Sequence, residues 1–357
     1  MAQKPTRIEK RLKISMLIPA HNEEKSIARC VQSCLDQTRK LDEIIIVNDG
    51  STDSTPDILA TFGDQIKVIH TPGLGNKSYA QEEGLKSVTG DIFVTTDADT
   101  IIHPDFVKYV EEDFVRNPQI RAVGGYVRSL KHNWITACRA FEYALGQNLH
   151  KLAQHHMDYL FVIPGAAGAF HTETFKKYMA FEHDVITEDL DFTYRLHKND
   201  FKIFYDRRAI VFTQDPATLH SYINQMRRWF GGGWQCLMKH WRLAFKQPKM
   251  ALELSLMYME GVAFSLLLFL LPFLSFKVFA GFIFMYLFIA MIFALYASFK
   301  EKRWTLLFIP FPYLLLVIIN SYVFLEQMMK EVVFRQRTLT WFHPERVTMK
   351  EEPQIVS

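Results

Sequence analysis

The sequence predicts an α/β domain followed by an α-helical membrane region. Three observations carry that prediction. Short apolar runs alternate with amphipathic helical stretches over the first hundred residues. Carboxylates stand where two of those runs end, at Asp49 and at Asp97-Ala98-Asp99. Residues 251 to 326 are mostly Leu, Phe, Ile, Val and Ala, whereas the chain before them has a soluble composition.

At 357 residues the chain has length for one large domain or two ordinary ones. A formal charge of +3 is too small to argue for a nucleic-acid partner. Cys30, Cys34, Cys138 and Cys236 have no metal-ligand spacing and no disulfide pattern, so they read as reduced, small apolar residues. Lys4, Arg7, Lys10, Arg11 and Lys13 mimic the charged start of a signal peptide, but the apolar run after them, Ile14 to Ile18, stops at Pro19. That run is too short for a leader or a span, so the soluble part is expected in the cytosol.

The elements follow in order. Ile14 to Ile18 is a buried strand, and a helix from about Glu23 to Gln37 places Ile27, Val31 and Leu35 on one face. Glu43 to Asn48 is the second strand, and a helix capped near Ser54 follows, with Pro56 in its first turn. Ile66 to His70, a helix from Ser78 to Ser87, and a strand from Asp91 to Thr96 complete the alternation. Right-handed crossovers and a largely parallel sheet are expected, with ligands at the carboxyl ends of the strands. Asp49, Asp97 and Asp99 sit at those ends. The Asp97/Asp99 pair suits Mg²⁺ or Mn²⁺, which prefer hard oxygen ligands and leave positions for substrate phosphates. By local rules alone, either acidic site is also an ordinary turn.

Ile18-Pro19-Ala20-His21-Asn22-Glu23-Glu24, Val47-Asn48-Asp49-Gly50-Ser51-Thr52-Asp53 and Asp97-Ala98-Asp99 resemble the family-2 inverting glycosyltransferases. The resemblance implies the GT-A fold, a Rossmann-like nucleotide-diphospho-sugar transferase domain. It implies that Asp49 contacts the nucleoside of a UDP-sugar, and that Asp97 and Asp99 hold the nucleotide and the metal on its diphosphate. Gly75-Asn76-Lys77 resembles the stretch lining that family's nucleotide pocket, which makes Lys77 a contact to UDP.

Downstream, Gly124 to about Leu130 is a further strand and Trp134 to Gln154 a long helix bearing Phe141, Leu145 and Leu149. Ile163 to Phe170 is a loop of small residues, suited to close approach by a ligand or by another backbone segment. In Ile186-Thr187-Glu188-Asp189-Leu190-Asp191, Thr187 is a good N-cap and the carboxylates favour a first helical turn. Thr187-Glu188-Asp189 also resembles the family's third acidic motif. That likeness makes Asp189, beside Glu188, the base that deprotonates the acceptor hydroxyl. A helix N-terminus lowers a carboxyl pKa, so a stronger base needs burial or a nearby like charge.

Gln225, Arg228 and Trp229 lie at i, i+3 and i+4, on one helical face. They resemble the Gln-x-x-Arg-Trp motif of synthases that build glycans at a membrane. The resemblance puts Gln225 and Arg228 on the nucleotide-sugar and makes Trp229 a platform for the acceptor sugar. The aromatic and basic residues around them equally suit a helix lying in the headgroup region. Gly231-Gly232-Gly233 departs slightly from the usual wording after this motif.

Three apolar stretches follow: Leu254 to Phe276, Val278 to Phe299 and Thr305 to Leu325. Each is long enough to cross a bilayer. Basic residues flank the first two on their outer ends, which predicts a hairpin with both ends in the cytosol. Pro310 and Pro312 should break the third segment and Asn320 needs a partner, so a re-entrant or interfacial course with a cytosolic tail is expected. The tail's Arg337 to Trp341 and Pro344 to Arg346 resemble the end of poly-N-acetylglucosamine synthases.

The expected plan is a basic segment (1–13), a cytosolic GT-A domain (14–224), interfacial helices with the Gln-x-x-Arg-Trp motif (225–250), a membrane region (251–326) and a basic tail (327–357). The expected function is a multi-pass cell-membrane enzyme moving N-acetylglucosamine from a UDP-sugar to a β-linked polysaccharide. Two alternatives stand beside it. One is a transferase adding a sugar to a glycerolipid, ceramide or related lipid. The other is a non-catalytic partner subunit with a degenerate nucleotide-binding domain. Three apolar segments enclose a poor channel, so a membrane partner or a homo-oligomer is expected to complete one if a polymer is exported.

Overall fold

A computed structural model describes residues 11–179 and 181–337. The tail motif from Thr338 to Arg346 lies outside the described residues. Eight strands form one sheet: β1 (Ile14–Ala20), β2 (Glu43–Asp49), β3 (Lys67–Thr71), β4 (Ile92–Thr95), β5 (Ile101–Ile102), β6 (Ile120–Ser129), β7 (Gly168–His171) and β8 (Lys202–Thr213). Their spatial order is β3-β2-β1-β4-β7-β6-β8-β5.

The first four strands are mutually parallel, as alternation with helices requires. The expectation of a largely parallel sheet fails beyond them. β7 runs antiparallel to both β4 and β6, and β5 is antiparallel to β8, so the sheet is mixed. Gly168 to Phe170, expected in a loop, are part of β7. The small side chains of Gly168 and Ala169 let the strand pass close to its neighbours.

Every residue of β1 is buried, because helices cover both faces of the sheet. Side chains alternate between two apolar clusters. Ile14, Met16 and Ile18 join Ile46 and Val94 on one face, and Leu17 joins Ile45, Val47 and Phe93 on the other.

The helices are α1 (Ile27–Leu35), α2 (Thr55–Ala60), α3 (Lys77–Ser87), α4 (Phe106–Arg116), α5 (Trp134–Leu145), α6 (Lys151–His156), α7 (Thr172–Tyr178), α8 (Glu188–Lys198), α9 (Leu219–Lys239), α10 (Pro248–Leu274), α11 (Phe276–Glu301) and α12 (Pro310–Met328). α1 starts four residues later than expected. Asn22 takes a left-handed φ of 54°, and the Glu23 amide donates to Thr55 Oγ1 at 2.8 Å, so residues 22 to 26 form a turn. The long helix from Trp134 is interrupted by a π turn at Gly146–His150 before α6. Ser54 and Thr187 occupy N-cap positions, but neither side chain caps its helix. Thr187 Oγ1 instead faces Cys236 Sγ at 3.6 Å. All four cysteines are buried and free.

α10, α11 and the stretch Pro310–Val333 are long and apolar enough to cross a membrane. Phe273, Phe276 and Phe284 are 89%, 74% and 70% exposed, which suits contact with lipid and supports membrane association. The third segment divides at the prolines: Trp304–Phe308 form a short 3₁₀ turn, and α12 runs unbroken from Pro310. Pro310 and Pro312 fall in the first turn of α12, where a missing N–H leaves no helical bond unmade. Asn320 finds its partner in Tyr222, whose hydroxyl donates to Asn320 Oδ1 at 2.9 Å.

Polar contacts fasten these helices to the α/β domain. Tyr126 bonds Glu301 at 2.6 Å, Tyr313 bonds Glu142 at 2.9 Å, and Arg227 pairs with Glu326 at 2.8 Å. The carboxyl ends of β1, β2 and β4 open into the cavity that results.

Candidate active site

The cavity holds about 730 Å³. Asp49, Lys77, Asp97, Asp99, Glu188, Asp189, Gln225, Arg228 and Trp229 all line it, so every residue singled out from the sequence arrives in one place.

The strand ends build one wall. Asp49 closes β2, and its Oδ1 accepts from Thr71 Oγ1 at 2.6 Å and from the Leu74 amide at 2.7 Å. It therefore holds the loop from Thr71 to Gly75 in shape. Gly50 has a φ of +65°, and a Cβ there would meet the Gly73 backbone at 2.7 Å. Only glycine allows both that conformation and that approach. The same loop leads into α3, whose N-cap Asn76 accepts from the Ser78 amide.

Lys77, the first residue of α3, reaches across the cavity. Its Nζ lies 2.6 Å from Asp97 Oδ1 and 3.1 Å from Glu188 Oε1. Burial opposes its charge, but Asp97 and Glu188 outweigh burial and raise its pKa above the ordinary lysine value. Asp99 Oδ1 accepts from Thr100 Oγ1 at 3.1 Å.

The opposite wall carries Asp189 in the first turn of α8. Burial, then the neighbouring Glu188, push its carboxyl up to about 6, against the pull of Lys77, the Leu190 amide and Arg228. Both means of strengthening a helix-start carboxylate are thus present, and they outweigh the helix end. At neutral pH such a group is mostly ionised yet accepts a proton more readily than an exposed aspartate.

α8 is held in place from α9. Asp191 bonds His240 at 2.7 Å and pairs with Lys239 at 2.8 Å. The three glycines of α9 each meet a different neighbour. A Cβ on Gly232 would collide with Thr187, one on Gly233 would lie 2.6 Å from the Tyr258 hydroxyl, and one on Gly231 would lie 3.0 Å from Gln327 Oε1. Gly165 serves the same end in the small-residue loop. A Cβ there would stand 3.2 Å from Lys77 Nζ and 3.7 Å from Asp189 Cβ.

Gln225, Arg228 and Trp229 present one face of α9 to the cavity. Gln225 Oε1 is buried with no hydrogen-bond partner, so it is open to a ligand donor. The Arg139 guanidinium covers the Trp229 ring at 4.6 Å and pairs with Asp215 at 3.4 Å. Sequence reading missed Arg139 and Asp215, as well as Lys151, Gln154 and Glu253 on the cavity wall. No motif marks these five; only the fold brings them to the site.

Asp97 and Asp99 fit a divalent cation by donor chemistry, since both are carboxylates facing the cavity. Among the described residues no group of three or more His, Cys, Asp or Glu could hold a metal. The chain therefore supplies two oxygen-bearing side chains, a pattern in which phosphates and water complete the shell.

The fold and the cleft define a GT-A-like α/β transferase domain. A mannosyltransferase from Pyrobaculum calidifontis, solved in complex with GDP-Man and Mn²⁺, superposes with a TM-score of 0.62 at 16% identity, over 91% of this chain and 88% of its own. Residues 15–171 match the model described as Glycosyl transferase family 2. The poly-β-1,6-N-acetyl-D-glucosamine synthase of Staphylococcus epidermidis is 30% identical over 268 residues, 74% of this chain and 65% of the relative. Its counterpart from Staphylococcus aureus strain COL is 28% identical over 242 residues, 67% and 59% of the two chains. The chain thus spans just under two thirds of these curated relatives.

Proposed function

We propose that this chain is a membrane-bound inverting glycosyltransferase that moves N-acetylglucosamine from a UDP-sugar to a growing β-linked glycan. The observation that carries the reading is the placement of Asp189. Its carboxyl, raised to about 6, shares one cavity with Lys77, Asp97, Arg228 and Trp229.

Asp49 and the loop it shapes receive the nucleoside. Asp97 and Asp99 would hold Mg²⁺ or Mn²⁺, and the bound ion would supply charge screening for the diphosphate as UDP departs. Lys77, paired with Asp97 and Glu188, would bond the diphosphate from the same place. Arg228 and Gln225 offer hydrogen bonds to the leaving group from α9, with the forked geometry that favours Arg on phosphate. Trp229, backed by Arg139, supports the acceptor sugar. Asp189 takes the proton of the acceptor hydroxyl as that oxygen attacks the anomeric carbon and the bond to UDP breaks.

The names of the staphylococcal relatives favour N-acetylglucosamine and a polymer. Three helices long and apolar enough to cross a membrane support a reaction at a bilayer, with the transferase domain on the cytosolic side. The purified chain with native lipids, given a panel of UDP-sugars, should prefer UDP-N-acetylglucosamine and yield a ladder of oligosaccharides by mass spectrometry. A single hexose on an extractable lipid would refute this and establish the lipid transferase instead. Binding of UDP with neither UDP release nor product from any UDP-sugar would favour the partner-subunit reading.

A further inference from the structure

Where α6 and α10 line the same cavity is a polar cluster that the proposed chemistry does not use. Lys151 opens α6 directly after the π turn and lines the cavity, yet it is only 9% exposed. Its ammonium makes no hydrogen bond or salt bridge among the described residues and lies 5.8 Å from the centre of the Tyr205 ring. Burying a charged amine without such partners is costly unless a ligand supplies them. Burial brings the Lys151 pKa down to about 7, against an upward pull from Asp189, so Asp189 is its electrostatic neighbour.

Glu253, from α10, lines the same cavity and meets Gln154, which lies three residues after Lys151 on α6. Gln154 Nε2 donates to Glu253 Oε1 at 2.6 Å, and Gln154 Oε1 accepts from the Phe161 amide at 3.0 Å, so both side chains are held in place. Glu253 Oε2 is buried and has no hydrogen-bond partner. Phe161, Val162 and Met257 supply the apolar lining beside these groups.

We propose that Lys151 and Glu253, oriented by Gln154, form an acceptor subsite for an uncharged saccharide, placed so that its terminal hydroxyl meets Asp189. This rests on the glycosyltransferase reading. A sugar hydroxyl both donates and accepts, which satisfies the open donor of Lys151 and the open acceptor of Glu253 together. The apolar neighbours suit the C–H face of a pyranose. A phosphate fits worse, because the carboxylates of Asp189 and Glu253 share this part of the lining with Lys151. The site also gives the first membrane helix a direct part in acceptor binding.

The test uses the full chain in lipid nanodiscs with saturating UDP-N-acetylglucosamine and a short β-linked N-acetylglucosamine oligosaccharide as acceptor. The K151M and E253Q variants should each raise the half-saturating acceptor concentration about tenfold or more, the loss expected for a charge-assisted hydrogen bond. UDP affinity, read by titration, should stay within about twofold of wild type and show that both variants are folded. Partial recovery in K151R would support a donor role. Unchanged acceptor saturation in both variants overturns the subsite. Transfer to a phosphate-bearing lipid that depends on Lys151, with the oligosaccharide ignored, overturns it in favour of an anionic acceptor. A wild-type chain that releases UDP from no UDP-sugar overturns the transferase reading itself, and the subsite with it.

Discussion

The two ends of the cavity are built in different ways. The proposed donor end is made at strand termini within the first hundred residues, where Asp49 ends β2 and Asp97 and Asp99 follow within four residues of the end of β4. The proposed acceptor end draws on α6, α8, α9 and α10, which are separated by up to a hundred residues. At the donor end the parallel sheet positions the chemistry, and short loops finish it. At the acceptor end positions depend on how helices pack on one another, so small residues such as Gly165 and Gly232 matter as much as the reacting groups. Damage should therefore differ in kind: loss of nucleotide or metal at one end, and loss of transfer with the donor still bound at the other.

The largest effect tests the donor end. EDTA should take transfer to background, Mg²⁺ or Mn²⁺ should restore it, and Asp99→Ala should not recover with either ion. Full activity in chelator would remove the metal from the donor end. Next comes Asp189→Asn, which should slow transfer by on the order of a hundredfold to ten-thousandfold with UDP binding retained. A near-wild-type rate would reduce Asp189 to a helix-start residue. The same group sets a pH dependence. Asp189 must be ionised to accept a proton, so activity should be half-maximal near pH 6, approach its plateau above that and fall with acidification below it. An acid limb that persists unchanged in a slow Asp189→Asn enzyme would assign it to another residue.

A smaller and mixed effect is expected at Gly232. The methyl of Gly232→Ala meets the short, β-branched Thr187 side chain, so α8 and α9 must separate. Overpacking of this kind costs about 1–3 kcal/mol. Thermal stability should fall, and transfer should fall more than UDP binding because Asp189 moves with α8. Equal losses in binding and transfer would show that the two ends are not separable. The smallest effect belongs to Tyr222→Phe, which removes the bond to Asn320 far from the reacting groups. About 1 kcal/mol of stability should be lost with activity at saturating substrate unchanged.

Much of the donor end was legible before any coordinates. Strand alternation, the acidic strand ends and the Gly75-Asn76-Lys77 entry to α3 are local patterns, and local patterns survive in sequence order. The errors lie where long-range packing competes with them. Asn22 and Glu23 looked like the start of a helix, but a hydrogen bond to Thr55, thirty-two positions away, holds them in a turn. Thr187 looked like a cap, yet its hydroxyl faces Cys236, forty-nine positions away.

The sequence by itself determined the α/β start, the carboxylates at its strand ends, the helical face of Gln225, Arg228 and Trp229, and three stretches apolar enough for a bilayer. Each depends on spacing along the chain. Only the tertiary structure decided that β7 runs antiparallel, that the two prolines begin α12 rather than break it, and that burial beside Glu188 makes Asp189 a stronger base. It also decided that Lys151 and Glu253 share the cavity with Asp189. The physical reason is the same in each case. Strand direction, desolvation and charge proximity depend on distance in space, and a run of neighbouring residues does not contain it.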